Sequence, residues 1–168
     1  MRLAILTTGG TIDKTYNESD GSLANVGSVL NSILTSLRHP GLDIRHVPVM
    51  SKDSLDLTDT DRQAILYAVM AAQSQVDAVV LIHGTDTLAQ TGQHLHERLE
   101  DLVIPVILTG AMRPYEFRDT DAVQNVTEAV LAAGLLSPGV WVVLHGQALP
   151  FPNVTKDRAK MTFVPTSG

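Results

Sequence analysis

The sequence predicts an α/β fold, a doubly wound three-layer domain around a mainly parallel sheet of about five strands. Two observations carry this expectation. Five short β-branched runs are apolar nearly throughout, as parallel strands covered on both faces are. Between them lie segments whose apolar residues recur at helical spacing. Such alternation gives right-handed crossovers and therefore parallel pairing.

The strands are expected at 3–7 ("LAILT"), 44–49 ("IRHVPV"), 78–83 ("AVVLIH"), 106–109 ("VILT") and 140–145 ("VWVVLH"). The first helical stripe is Val26, Leu30, Ile33, Leu34 and Leu37, and the second Ile65, Leu66, Val69 and Met70. Leu88, Leu95, Leu99 and Leu102 make the third, and Val123, Val126 and Val130 the fourth. Thr58 and Asp61 have capping-box spacing and mark the start of the second helix. Repeats, low-complexity tracts and linkers are absent from the sequence. At 168 residues the chain fits one domain, able to bury about 70% of its unfolded surface.

Composition narrows the function classes. With no cysteine there is no disulfide framework, thiolate nucleophile or cysteine metal site, and cytoplasm is the default location. The opening "MRLAILTTGG" reads as a strand rather than a signal segment, and the apolar runs "AVVLI" and "GVWVVL" are far too short to span a membrane. Eighteen acidic against twelve scattered basic residues, with few aromatics, argue against nucleic acid as a partner. The sequons at Asn125 and Asn153 carry no weight in a cytoplasmic chain.

In an open sheet of this kind ligands sit beyond the carboxyl ends of the strands. The segments there are "TTGGT", "MSKDS", "HGTDT", "TGAMRP" and "HGQALPFPNVTK", which bring hydroxyls, glycines and carboxylates to one edge. A phosphate loop is a poor reading of "TTGGTIDKT": the lysine lacks its preceding glycine, and Asp13 would oppose a phosphate. Two readings of the first turn stay open, a tight turn in which Thr11 caps the next segment and a site in which Thr11 reacts. Likewise Asp86 or Thr87 caps the helix from Leu88, or the threonine–aspartate pair belongs to a site. His83 and His145 end strands and are either site groups or hydrogen-bonded core histidines. His94 and His96, roughly 200° apart around a helix, cannot share a metal and are expected at the surface. The polar stretch 14–27, with Tyr16 its one aromatic, has the length and composition of an active-site lid.

Four separated motifs in register, "TGGTI", "HGTDT", "GAMRP" and "NVTK", make the chain resemble the bacterial-type L-asparaginases, matching their amino-terminal domain from end to end. In its length the chain resembles the short single-domain form of the Rhodospirillum rubrum type. The resemblance implies hydrolysis of L-asparagine to aspartate and ammonia by a threonine nucleophile through a covalent acyl-enzyme, with no metal or organic cofactor. It implies Thr11 as nucleophile, Tyr16 as the assisting lid tyrosine, and Thr85, Asp86 and Lys156 as the second catalytic group. Ser54 would grip the substrate's α-carboxylate, and Asp86 its α-ammonium. Backbone N–H groups in the turns at Gly10 and Gly84 are candidate donors to the oxyanion that hydroxyl attack creates.

Two departures accompany the resemblance. Leu55 stands where many members place a polar side chain, and the sequence stops at Gly168, where the family's carboxy-terminal domain would begin. The expectation is one catalytic domain over 1–168, in a homo-oligomer. The alternatives are a non-catalytic amino-acid sensor and an amidohydrolase for another amide such as glutamine.

Overall fold

The computed structural model describes residues 1–25 and 27–166. Its main sheet has six strands: β1 (Arg2–Gly9), β4 (Asp43–Lys52), β5 (Ala78–Ile82), β6 (Pro105–Thr109), β7 (Gly139–Leu144) and β8 (Gln147–Pro150). Their spatial order is β4-β1-β5-β6-β7-β8, with every pair parallel except β7 with β8. Two small antiparallel ribbons flank it, β2 (Lys14–Tyr16) with β3 (Leu23–Asn25), and β9 (Val154–Asp157) with β10 (Thr162–Pro165). The helices are α1 (Leu30–Ser36), α2 (Asp59–Gln73), α3 (Leu88–Arg98) and α4 (Ala122–Ala132).

Period-two alternation along the buried strands builds two cores. Ala4, Leu6, Val79, Leu81, Val106 and Leu108 face Ile65, Leu66 and Val69 of α2 and Leu88 and Leu95 of α3. Leu3, Ile5, Val80, Ile82 and Ile107 face Leu30 and Ile33 of α1 and Val126 and Ala129 of α4. Both sheet faces are therefore covered, which explains why the strands read as apolar runs. None of the helices among the described residues is long and apolar enough to cross a membrane.

The five expected strands are all present, and a sixth joins them that the apolar runs do not reveal. β8 follows β7 through a two-residue turn at His145 and Gly146, with φ of 53° and 75°. Both central residues are left-handed, as a tight hairpin requires, but His–Gly is not the usual signal for it. Of the expected stripes, Val26 lies outside the described residues, Met70 is exposed, and α3 ends before Leu99 and Leu102. The capping box is complete: Asp61 N–H donates to Thr58 Oγ1 (3.2 Å), and Thr58 N–H to the Asp61 carboxylate (2.9 Å). Thr58→Ala should cost about 1 kcal/mol of unfolding free energy with an unchanged denaturant slope, measured by urea titration.

Candidate active site

Strand order reverses between β1 and β5: the chain leaves β1 for β4 on one side and returns to β5 on the other. A crevice opens beyond the carboxyl ends of strands at such a switch, and the two threonine–glycine turns flank this one. β1 runs into Gly9 and Gly10, with φ of 92° and 91°, a region that side chains rarely adopt. A Cβ on Gly10 would stand 2.4 Å from Gly84 Cα, and one on Gly84 would stand 2.6 Å from Ser54 Oγ. Three turns thus touch with no side chain between the first two. Thr11 then opens a single 3-10 turn (Thr11–Asp13) and is half-buried, and its hydroxyl makes no hydrogen bond among the described residues.

On the β5 side, Lys156 Nζ from β9 donates to Thr85 Oγ1 (2.8 Å) and to Asp86 Oδ1 (2.9 Å). Arg158 Nη1 lies 3.3 Å from the same Asp86 oxygen. Thr85 is buried, and the Lys156 side chain is only 12% exposed, which places the ammonium inside the crevice. The capping alternative fails for both candidates: neither caps α3, because Thr87 Oγ1 donates to Ser54 C=O (2.8 Å) and Asp86 is turned to the two cations. Thr11 likewise gives no side-chain cap to its 3-10 turn.

Ser54 is buried at the start of the 3-10 turn Ser54–Asp56. Asp53 caps that turn through Leu55 N–H (3.1 Å) and pairs with Lys14 Nζ (2.6 Å). The Lys14 ammonium and the Leu55 amide hold the Asp53 carboxyl below the usual range. Leu55 itself is 67% exposed and offers the site nothing polar. Two expectations need correction. Gly10 N–H is committed to Lys52 C=O (2.9 Å), so it drops out as an oxyanion donor. Within the expected lid loop, Lys14–Tyr16 and Leu23–Asn25 pair as the β2–β3 hairpin, whose tip, Asn17–Ser22, is fixed by Asn17 and Asp20 side chains. Tyr16 is 57% exposed there, with its hydroxyl over Gly21 of the same hairpin, so the structure does not bring it into hydrogen bonding with Thr11.

The histidines divide. His83 is buried and bonded through Nδ1 to Gly84 C=O (2.8 Å) and through Nε2 to Thr91 Oγ1 (2.9 Å), the core reading. The carbonyl fixes the proton on Nδ1, leaving Nε2 to accept from the threonine. Burial pushes its pKa down to about 4. His145 Nε2 lies 2.7 Å from Asp121, whose carboxylate also accepts the N–H groups of Met112 and Arg113. His96 is exposed, whereas His94 is half-buried rather than fully at the surface. Asn125, part of a sequon, is fully buried and donates to Gly110 C=O (2.8 Å), so it is inaccessible to glycosylation. Asp13, which a phosphate loop would turn on its ligand, is buried and accepts Val29 N–H (2.9 Å). Arg158 and the Lys14–Asp53 pairing were not found from the sequence, because nothing local marks them and each partner is remote in the chain.

The arrangement resembles known proteins throughout its length. Residues 2–163 match the family model described as "Asparaginase, N-terminal". The chain belongs to the asparaginase family. It is 31% identical over 156 residues to an L-asparaginase of Thermococcus kodakarensis, covering 93% of this chain and 48% of that protein. The solved structure of the thermostable L-asparaginase from that organism superposes with a TM-score of 0.90 at 30% identity, over 98% of this chain and 51% of the other. A glutamyl-tRNA(Gln) amidotransferase polypeptide of Thermoplasma acidophilum is 29% identical, over 86% of this chain and 35% of its own length. This asparaginase-family chain thus spans about half or less of the relatives it matches.

Gly84→Ala should destabilise the fold by about 1–3 kcal/mol, since its Cβ would collide with Ser54 Cβ and Oγ, both 2.6 Å away. Urea titration followed by far-UV circular dichroism checks this. A second expectation concerns pH. The folded pKa of His83 is below its unfolded value, so the unfolded chain binds the proton first and stability falls with pH. The window is from about 6.5 down to about 4, and the loss by its lower end is roughly 3 kcal/mol. Urea titrations across that range should show the loss in the wild type and a smaller one in His83→Gln.

Proposed function

We propose that this chain is an amidohydrolase that converts L-asparagine to L-aspartate and ammonia. The observation that carries the reading is Lys156 Nζ bridging Thr85 Oγ1 and Asp86 Oδ1 beside the Gly10–Gly84 contact, with Thr11 free at the next position. In this reading Thr11 Oγ1 passes its proton to solvent water as it bonds to the side-chain amide carbon, and the carbonyl π pair moves onto the amide oxygen until the C–N bond breaks. The C–N bond then breaks, the nitrogen takes up a proton, and ammonia leaves. The remaining aspartyl ester on Thr11 is cleaved by water oriented by Thr85, whose hydroxyl is held by Lys156. Ser54 and Asp86 hold the α-carboxylate and α-ammonium, and closure of the β2–β3 hairpin brings Tyr16 over Thr11.

The catalytic unit is residues 1–168, acting in the cytoplasm as a homo-oligomer, and the reading invokes neither metal nor organic cofactor. Asparaginase relatives support the amidohydrolase class, and the amidotransferase relatives make the substrate the point to test. Ammonia release from L-asparagine, L-glutamine and D-asparagine separates an asparaginase from a glutaminase, and from an amino-acid sensor that releases none. Thr11→Ala should abolish turnover while still binding asparagine. Thr85→Ala should be nearly inactive and accumulate an acyl adduct on Thr11, detected by intact-protein mass spectrometry. An adduct on Thr85 in the Thr11 variant would reverse the two roles.

A further inference from the structure

Asp86 meets two cations, and the reading above uses only one of them. Lys156 points inward and also holds Thr85. Arg158 is different: its side chain is 72% exposed, yet Nη1 stays 3.3 Å from Asp86 Oδ1 at the rim of the crevice. The turn that carries it is built to stay there. Asp157 Oδ1 accepts the N–H groups of Ala159 and Lys160, both at 3.0 Å, and Asp157 pairs with Thr162 to close the β9–β10 ribbon. Asp86 Oδ2 accepts no hydrogen bond among the described residues, so one oxygen of the carboxylate remains for a ligand.

We propose that Arg158 is a specificity-determining residue, selecting substrates that are free α-amino acids with an ionised α-carboxylate. The inference rests on the reading that Asp86 receives the α-ammonium. Ammonium and carboxylate are borne by one carbon, so an ammonium on Asp86 brings its own carboxylate within a few ångströms of whatever cation neighbours Asp86. Of the two cations beside Asp86, Lys156 has a side chain only 12% exposed and already donates to both Thr85 and Asp86, whereas the Arg158 side chain is 72% exposed and its planar fork of five N–H donors keeps donors to spare. Asp86 and Arg158 form a paired minus and plus, and a zwitterion lies against them head to tail. An ester, a peptide or an aminoacylated RNA presents the ammonium without the anion and leaves the guanidinium charge unanswered. Ser54, the other carboxylate contact, is a neutral hydroxyl that can donate to an ester carbonyl as well as, more strongly, to a carboxylate, so the larger discrimination by charge falls to Arg158.

The test compares steady-state ammonia release from L-asparagine and from its α-tert-butyl ester, using wild type, Arg158→Gln and Arg158→Lys. For asparagine, Arg158→Gln should raise KM about tenfold or more with kcat changed little, the pattern of lost uniform binding. KM for the ester should hardly move, and Arg158→Lys should restore part of the asparagine KM. An unchanged KM, equal shifts for both substrates, or a lower KM for asparagine would overturn the proposal, the last by showing that Arg158 competes with the ammonium. If the wild type releases no ammonia from either compound, the amidohydrolase reading fails instead. Calorimetric binding of asparagine then decides the inference, with about tenfold weaker binding by Arg158→Gln supporting it, and equal or no binding overturning it.

Discussion

The site depends on one contact between backbones, Gly10 against Gly84. Any side chain on Gly10 would stand inside the Gly84 backbone, and any on Gly84 inside Ser54. Close approach of this kind is what glycine alone allows, at the cost of its unfolded-state entropy. Its consequence is geometric. Thr11 follows the first glycine and Thr85 the second, so pressing the turns together sets two hydroxyls from strands that are distant in the chain but adjacent in the sheet, as the β1–β5 pairs Leu3↔Ala78 and Thr7↔Ile82 show. Ser54 enters the same stack from the end of β4, the neighbour of β1 on its other side.

Surrounding interactions hold these turns from behind. His83 ties its own turn to α3 through Thr91, and Thr87 ties the start of α3 to the Ser54 carbonyl. Thr8 Oγ1 donates to Ile82 C=O (3.1 Å), lacing β1 to β5 at the point where the crevice opens. Across the site, Asp121 gathers the N–H groups of Met112 and Arg113, the Asn125 amide and His145. Burial works against its charge, yet these hydrogen bonds hold its carboxyl below the usual range. His145 Nδ1 in turn reaches Thr162 of β10, so the loop after β6 and the ribbon carrying Lys156 share one polar hub. Such a network fixes position because each buried group that loses its partner is costly.

The parts of this architecture legible in the sequence are those governed by local periodicity. Apolar runs mark the five strands because both sheet faces are covered, and the Thr58–Asp61 spacing corresponds to a real capping box. Thr11, Ser54 and Thr85 could be expected at one edge because a doubly wound sheet sends its parallel strand ends to one side, whereas Lys156 arrives on β9, outside that sheet. What escaped was set by pairing across the chain. β8, β9 and β10 are short, with turns at His145–Gly146 and 158–161 that lack the common signals, and the β2–β3 hairpin looks like a polar loop because neither of its faces is apolar. Capping was the sound local reading of Asp86 and Thr87, and it failed because partners 70 residues downstream for Asp86 and 33 upstream for Thr87 outcompete the helix.

The same logic links the β2–β3 hairpin to the turn that begins with Ser54. Lys14, the first residue of β2, pairs with Asp53, and Asp53 caps the turn that begins with Ser54. Both side chains are about a quarter exposed, at 25% and 29%, so solvent screens the pair less than it would a surface bridge. On the other side, Tyr16 N–H donates to Glu116 (3.0 Å), and Tyr115 N–H to Ile12 C=O (3.2 Å). The base of the hairpin is therefore tied both to the segment that holds Ser54 and to the loop after β6, while its tip is braced only by its own side chains. The hairpin is thus fixed at its base from two sides, and the glycine contact is held separately, by the lacing of β1 to β5 and by the packing of Gly84 on Ser54.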